Sequence, residues 1–203
     1  MKRAFDIIAG VGLACILAPF MVVAAVGIKM DSSGPVLYRG YRTGILGRRF
    51  RILKFRTMHP DAESMGGTTT GKNDPRVTRF GRILRRYKLD ELPQLFNVIK
   101  GDMSLVGPRP EVQEYTDLYS DEERLILSVR PGITDYSSLH FIDLSAVVGD
   151  DADNVYRREV LTIKNNLRLQ YVRERSFGGD LRILVSTAHA VVRRLTDGIH
   201  PSR

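Results

Sequence analysis

Arg85-Arg86-Tyr87-Lys88-Leu89-Asp90-Glu91-Leu92-Pro93-Gln94 is the stretch on which the reading of this chain turns. Two adjacent carboxylates follow a run of cations and precede a short apolar segment that ends at Gly101. Aspartate is favoured just ahead of a helix, proline is tolerated in a first turn, and glycine stops helices. The pattern therefore predicts a short helix with Asp90 as its N-cap. Free N–H groups and the dipole at such an end favour anions. Asp90 would then stay ionised beside Arg85, Arg86 and Lys88 and share its place with a phosphorylated ligand. A helix cap and a nucleophile both fit this spacing.

Downstream, Asp102 to Pro110 closes with Gly107-Pro108-Arg109-Pro110, where two prolines stiffen the backbone around one arginine. A guanidinium fork held this way suits bidentate contact with phosphate, although a rigid loop with an exposed arginine has the same sequence. Upstream, Val36 to Arg39 and Arg49 to Phe55 predict two short strands around Gly44-Ile45-Leu46-Gly47, after a turn at Asp31-Ser32-Ser33-Gly34-Pro35. Lys54 and Arg56 stand two residues apart at the end of the second strand, so they share a face and can converge on one anion. A solvated strand end fits that spacing equally. His59 to Pro75 is polar, with Gly66-Gly67-Thr68-Thr69-Thr70-Gly71, and predicts a mobile loop, either a lid or an ordinary connection. Val77, Phe80, Ile83, Leu84 and Tyr87 recur at helical spacing, with Arg76, Arg79, Arg82, Arg86 and Lys88 on the other face. This basic amphipathic helix suits an anionic membrane surface; a core-facing helix with a solvated basic face is the other reading.

The chain has 203 residues and a formal net charge of +8. That size suits one domain plus a membrane element, and the charge favours phospholipid, phosphorylated substrates or nucleic acid. No nucleic-acid-binding motif is recognisable. The single cysteine, Cys15, lies in an apolar segment and leaves no intrachain disulfide and no cysteine metal site. Met1-Lys2-Arg3 leads into an apolar run from Ala4 to Ile28, interrupted in charge only by Asp6. A signal peptide, a spanning anchor and a re-entrant hairpin compete. Asp6 weighs against the first. Basic residues on both flanks (Lys2 and Arg3 before; Lys29, Arg39, Arg42, Arg48 and Arg49 after) weigh against the second. Pro19 kinks a helix near its middle, and a hairpin that enters and leaves one leaflet meets both observations.

Beyond the central block, Glu111 to Val129 predicts a helix with Tyr115, Leu118, Tyr119, Leu125, Ile126 and Val129 on its core face, ended by Arg130-Pro131-Gly132. Ala146 to Asn154 is an acidic loop with Asp150, Asp151 and Asp153 and no complete calcium-loop pattern. Val155 to Arg175 predicts a helix broken near Asn165-Asn166, and Leu181 to Leu195 a last helix before a loose tail.

Taken together, Lys54-Phe55-Arg56-Thr57-Met58, Leu89 to Gln94, Asn97-Val98, Lys100-Gly101-Asp102 through Pro110, and Arg130-Pro131-Gly132-Ile133-Thr134 stand in the order of the bacterial sugar transferases, the monotopic phosphoglycosyl transferases. The chain resembles that family over nearly its full length. The resemblance implies an α+β fold: a re-entrant membrane helix over residues 1–30 broken at Ala18-Pro19, then one catalytic domain over 31–196 with a small β-hairpin and interfacial helices, then a tail over 197–203. It implies a monotopic protein of the bacterial cytoplasmic membrane with its domain facing the cytoplasm. The implied reaction moves a sugar phosphate from a UDP-sugar to membrane polyprenyl (undecaprenyl) phosphate, releasing UMP. Asp90 is the implied nucleophile, Glu91 the group that orients the acceptor or takes its proton, and both carboxylates hold Mg²⁺. Lys54, Arg56, Arg85 and Arg109 are the implied phosphate-binding cations, with Pro108, Pro110 and Arg130 lining the pocket. A homodimer is left open, and nucleic acid is not an expected partner. Asp135-Tyr136-Ser137-Ser138-Leu139-His140-Phe141 departs from the family's usual continuation, which leaves the sugar open; His140 reads as structural. A scaffold that keeps the fold without activity is one alternative, disfavoured because every charged residue of the pattern is present; a membrane-anchored basic nucleic-acid- or lipid-binding protein, in which changing Asp90 would leave function largely intact, is another.

Overall fold

Thirty residues, Lys2–Asp31, form one continuous helix, α1, with Pro19 inside it. The break expected at Ala18-Pro19, and the hairpin it would create, are not seen. An interior proline costs a helix about 3 kcal/mol, which the packing of both halves of α1 against the rest of the molecule offsets. Asp6, Gly10, Ala14, Ala24 and Ile28 form the buried stripe at helical spacing. Small residues let α1 come close: a Cβ on Gly27 would lie 2.4 Å from the Phe80 ring. The opposite face is apolar and exposed, with Ile8, Ile16, Phe20, Val22, Val23, Val26 and Met30 each more than half accessible.

Polar contacts fasten the two ends. Buried Asp6 accepts from Ser104 Oγ at 2.8 Å and from the Leu105 N–H at 3.1 Å. Lys2 pairs with Asp180 at 2.5 Å, and Arg3 donates to the Val98 and Ile99 carbonyls. At the other end Asp31 accepts from the Phe80 N–H at 3.0 Å, and Arg56 donates to the Ser32 and Ser33 carbonyls.

The structure, a computed structural model, describes residues 1–62, 64–65, 70–71, 74–142, 144–148 and 151–197. The centre of the glycine–threonine loop, Asp150 of the acidic stretch and the tail beyond 197 lie outside them.

Strands β1 (Leu37–Thr43) and β2 (Arg49–Phe55) pair antiparallel, Leu37 opposite Phe55 and Thr43 opposite Arg49, as the hairpin pattern anticipated. Leu46, at φ 54°, and Gly47, at φ 76°, turn the chain between them. Helix α2 (Arg79–Arg86) is capped by Thr78, whose side chain accepts from the Gly81 N–H. Part of its apolar face packs inward: Leu84 is 1% exposed and packs with Ala24, Ile28 and Phe55. Leu84 thus faces the core, and Ile83 is left outside.

A single 3-10 turn (Leu89–Glu91) precedes α3 (Gln94–Lys100), which is stopped by Gly101 at φ 102°. Strand β3 (Ser104–Val106) pairs in parallel with β4 (Gly132–Thr134), and the strands lie so close at their ends that a Cβ on Gly132 would meet the Gly107 nitrogen at 2.1 Å. Neither strand was expected from the sequence.

Glu111 to Val129 is not one helix. It holds α4 (Gln113–Thr116) and a 3-10 segment (Glu123–Ser128). Ser120 and Glu123 explain the interruption: the Ser120 N–H donates to Glu123 and the Glu123 N–H to Ser120 Oγ, the reciprocal cap that starts a new turn. Tyr115, Tyr119 and Ile126 are buried as expected, whereas Leu118 and Leu125 face outward.

Then come α5 (Tyr136–His140), α6 (Leu144–Val148), α7 (Ala152–Val155), α8 (Leu161–Glu174) and α9 (Phe177–Asp197). Helix α8 is unbroken at Asn165-Asn166. Asn165 is buried, donates to Glu123 at 2.7 Å and accepts from Arg168, so its side chain has tertiary partners and does not compete with the helix backbone. The irregularity lies earlier, in a π-helical stretch over Tyr156–Val160. The main core joins β2, α3, β3, α8 and α9 through Ile52, Leu95, Val98, Leu105, Val106, Tyr171 and Ile183, with Ala14 of α1.

Candidate active site

Asp90 does not cap α3. Pro93 occupies that position, and Lys88 precedes the 3-10 turn with a left-handed backbone, φ 57°. Lysine rarely adopts this conformation, which costs on the order of 1 kcal/mol. Here it reverses the chain between α2 and α3 and carries both carboxylates into a nest of cations.

α3 is held against the hairpin by Asn97. Its amide accepts from the Leu53 N–H and donates to the Arg51 carbonyl, both at 2.8 Å, replacing a neighbouring strand along the β2 edge. The end of β2 then brings Lys54 to Glu91 at 3.1 Å. From the other side Arg109 pairs with the same Glu91 oxygen. Arg109 also donates to the Ile133 carbonyl at 2.5 Å and, at 3.4 Å, to Gln94, which is fully buried. Arg85 donates to Thr57 Oγ1 at 2.7 Å and adds its field to Asp90.

The two carboxylates sit in opposite environments. Asp90 is 7% exposed and its Oδ1 is buried without a hydrogen-bond partner. Burial pushes its pKa above the usual carboxylate range, the Glu91 charge pushes the same way, and Lys54, Arg85 and Lys88 resist. The cations therefore do not dominate at Asp90. For Glu91 burial acts upward too, but Arg109 and Lys54 outweigh it and hold the carboxyl well below its ordinary range. Burial in turn lowers Lys54 and Arg85 from their ordinary values.

Of the residues singled out from the sequence, Lys54, Arg85, Asp90, Glu91 and Arg109 come together. Arg56 does not join them in its contacts: it is 8% exposed and its guanidinium holds the Ser32 and Ser33 carbonyls just past the end of α1, so the expected convergence with Lys54 is not made. Pro108 and Pro110 are buried beside Arg109 and line a small cleft with Thr43, Thr116 and Tyr119. Arg130 lies apart, exposed, donating to the Gly101 carbonyl at the end of α3. His140 is exposed and stacks edge-on against Phe141. Gln94, Asn97 and Thr57 were missed as supports, although two amides inside the apolar run Leu92 to Ile99 were a readable signal.

No group of three or more potential metal-ligating side chains occurs among the described residues. A magnesium ion needs fewer, because it binds through one or two carboxylates plus substrate phosphates. The orphaned Oδ1 of Asp90 fits that donor set, and one Glu91 oxygen is already committed to Lys54 and Arg109.

Behind Arg109 lies a second buried network. Glu111 accepts from Arg168 at 2.7 Å and from the Tyr156 hydroxyl, while its backbone carbonyl accepts from the Thr43 N–H at 2.9 Å. Arg168 is fully buried. Against burial, Arg168 and Lys164 bring the Glu111 carboxyl down to about 2. A carboxyl depressed in the folded state stabilises above its unfolded pKa, and that share is lost as pH falls from about 4.5 towards 2. Glu111→Gln is expected to cost about 3 kcal/mol at neutral pH, by leaving Arg168 buried without its counter-charge, and to flatten the acid limb of a Tm-against-pH profile in that window.

A family model described as bacterial sugar transferase matches residues 1–194. The chain is 41% identical over 193 residues to the undecaprenyl-phosphate glucose phosphotransferase of Komagataeibacter xylinus, covering 92% of this chain and 35% of that protein. It is 37% identical over 194 residues to the UDP-glucose:undecaprenyl-phosphate glucose-1-phosphate transferase of Caulobacter vibrioides, covering 94% and 69%. The uncharacterized sugar transferase EpsL of Bacillus subtilis is 34% identical over 199 residues, covering 98% of this chain and 90% of that one. The chain thus spans only about a third of the first relative's length.

Proposed function

Because this chain belongs to the bacterial sugar transferase family, we propose that it moves a sugar phosphate from a UDP-sugar to membrane polyprenyl phosphate and releases UMP. The observation that carries the reading is the pair of adjacent carboxylates in opposed environments. Glu91 is locked ionised by two cations, while Asp90 keeps a free, buried oxygen beside it. Environments that drive two carboxyls apart in pKa assign them different roles.

Asp90 is the nucleophile. Its Oδ1 bonds to the β-phosphorus, the bond from that phosphorus to the bridging oxygen breaks, and UMP departs with the electron pair. The aspartyl phosphosugar is then attacked by a polyprenyl phosphate oxygen, which frees Asp90. Lys54, Arg85 and Arg109 stabilise charge on the phosphoryl oxygens. Glu91, so far below its ordinary pKa, is a weak base; its work is to hold Lys54 and Arg109 in place and to orient the acceptor. The Asp90 carboxylate, with Glu91, would hold Mg²⁺, which would supply cancellation of carboxylate–pyrophosphate repulsion. Arg56 acts at one remove, by securing the end of α1.

The acceptor is a lipid, so the site must meet a bilayer. Helix α1 is long and apolar enough to cross one. Yet both of its ends are tied to the same domain, through Lys2 and Asp6 at one end and Asp31 at the other. This supports a monotopic helix that presents its exposed apolar side to one leaflet, with the basic domain on the cytoplasmic side of the membrane.

The test is UMP release by detergent-solubilised protein with Mg²⁺, undecaprenyl phosphate and UDP-sugars supplied singly, UDP-glucose first. Release that requires both lipid and Mg²⁺ is expected. Silence across the panel would overturn the reading.

A further inference from the structure

We propose that Asp135, in the stretch that departs from the family pattern, is a positioning residue that fixes Arg109 against Glu91. Its carboxylate is fully buried at the junction of β4 and α5. One oxygen accepts from the Ser138 N–H at 2.7 Å and caps α5, an ordinary structural duty. The other accepts the Arg109 backbone N–H at 3.1 Å. Ser137 Oγ donates to the carboxylate, at 2.8 and 2.9 Å from its two oxygens, and Ser138 Oγ donates to it at 2.7 Å. Two residues earlier the Ile133 carbonyl receives the Arg109 guanidinium. The same short segment therefore grips Arg109 at its backbone and at its tip, leaving one guanidinium nitrogen aimed at Glu91.

The two prolines around Arg109 cannot do this alone. Neither donates a backbone hydrogen bond, so the Arg109 N–H is the only amide of Pro108-Arg109-Pro110 that can be fastened. A charge-assisted bond to a buried carboxylate is the strong form of that fastening. Asp135 thus acts on the phosphate-binding arginine without touching substrate, and this role rests on the proposed phosphosugar transfer.

Asp135→Ser keeps an oxygen that caps a helix but is too short to reach Arg109, and it also gives up the bonds from the Ser137 and Ser138 hydroxyls. The variant is expected to stay folded with a Tm lowered by several degrees, and to lose about tenfold in kcat/KM for UMP release below its melting range, the worth of one hydrogen bond to a charged group. In an Arg109→Lys background, where the guanidinium fork is already gone, the same change is expected to cost less than about twofold. Equal losses in both backgrounds, or no loss in the parent, would overturn the assignment. If the unmodified protein released no UMP with any UDP-sugar, the transfer reading would fall by itself. The four-variant cycle would then be measured on UDP affinity, where non-additivity supports the role of Asp135 and additivity refutes it.

Discussion

Asp90→Asn is expected to cut UMP release on the order of 10⁴-fold, the scale seen when a nucleophile is removed, with a Tm equal to or above the parent's. The two halves of this expectation have one cause. Asp90 is buried with an oxygen that no protein group satisfies, beside a second carboxylate whose charge opposes its own. A fold optimised for stability would not keep such a group, because an unsatisfied buried polar atom costs about 1–3 kcal/mol. Asparagine is nearly isosteric, removes the negative charge and leaves Glu91 with Lys54 and Arg109 undisturbed. It cannot form the acyl phosphate. Circular dichroism and a thermal melt beside the UMP assay check both halves. A variant that turns over normally would remove Asp90 from the nucleophile's role; one that is inactive only because it melts early would assign it to structure. Glu91→Gln should behave differently, losing stability as well as activity, because Lys54 and Arg109 would share a buried site without their counter-charge.

What the sequence made legible divides by the range of the interactions involved. The hairpin was readable because period-two alternation and the Gly44 to Gly47 turn are local. The charged residues of the site were readable because the resemblance tied Lys54, Arg85, Asp90, Glu91 and Arg109 to one another in advance. Arg56 shows where that stops: strand spacing puts it on the Lys54 side, but β2 ends at Phe55 and the Ser32 and Ser33 carbonyls take up the guanidinium. The short parallel pair β3 and β4 was invisible because three residues carry no periodicity and the partners are separated by a long connection. The helix expected over Glu111 to Val129 failed to a signal that was present, the Ser120–Glu123 capping pair. Asp90 as a helix cap failed because Lys88 takes a backbone conformation that residue type alone would not suggest.

Replacing Ile16 and Phe20 together by lysine is expected to release the protein from liposomes, lowering its membrane partition on the order of 10³-fold, given about 2.5–3.5 kcal/mol per lysine at a helix centre reduced by snorkelling. Both side chains are on the outer face of α1, 69% and 63% exposed, so neither change disturbs the packing beneath. Flotation with anionic vesicles measures the loss, and an unshifted melt in detergent shows that the fold survives. The same helix discriminates the topology. At about 1.5 Å per residue it is about 45 Å long, ample to cross a bilayer. Crossing would separate Lys2 from Asp180, and Asp6 from Ser104 and Leu105, leaving an aspartate unpaired in lipid. Lying along the domain keeps every one of these bonds and still gives lipid the Ile8 to Met30 face. A single cysteine inserted after Met1, and another at exposed Ser33 just past the helix, each in a Cys15→Ser background, should therefore both react with an impermeant maleimide added on the domain's side. Reaction at only one of them would restore the spanning helix. On the proposed reaction, UMP release should fall with the vesicle-bound fraction in the Ile16/Phe20 variant, because a protein detached from the bilayer would meet a nucleotide sugar but not a lipid acceptor.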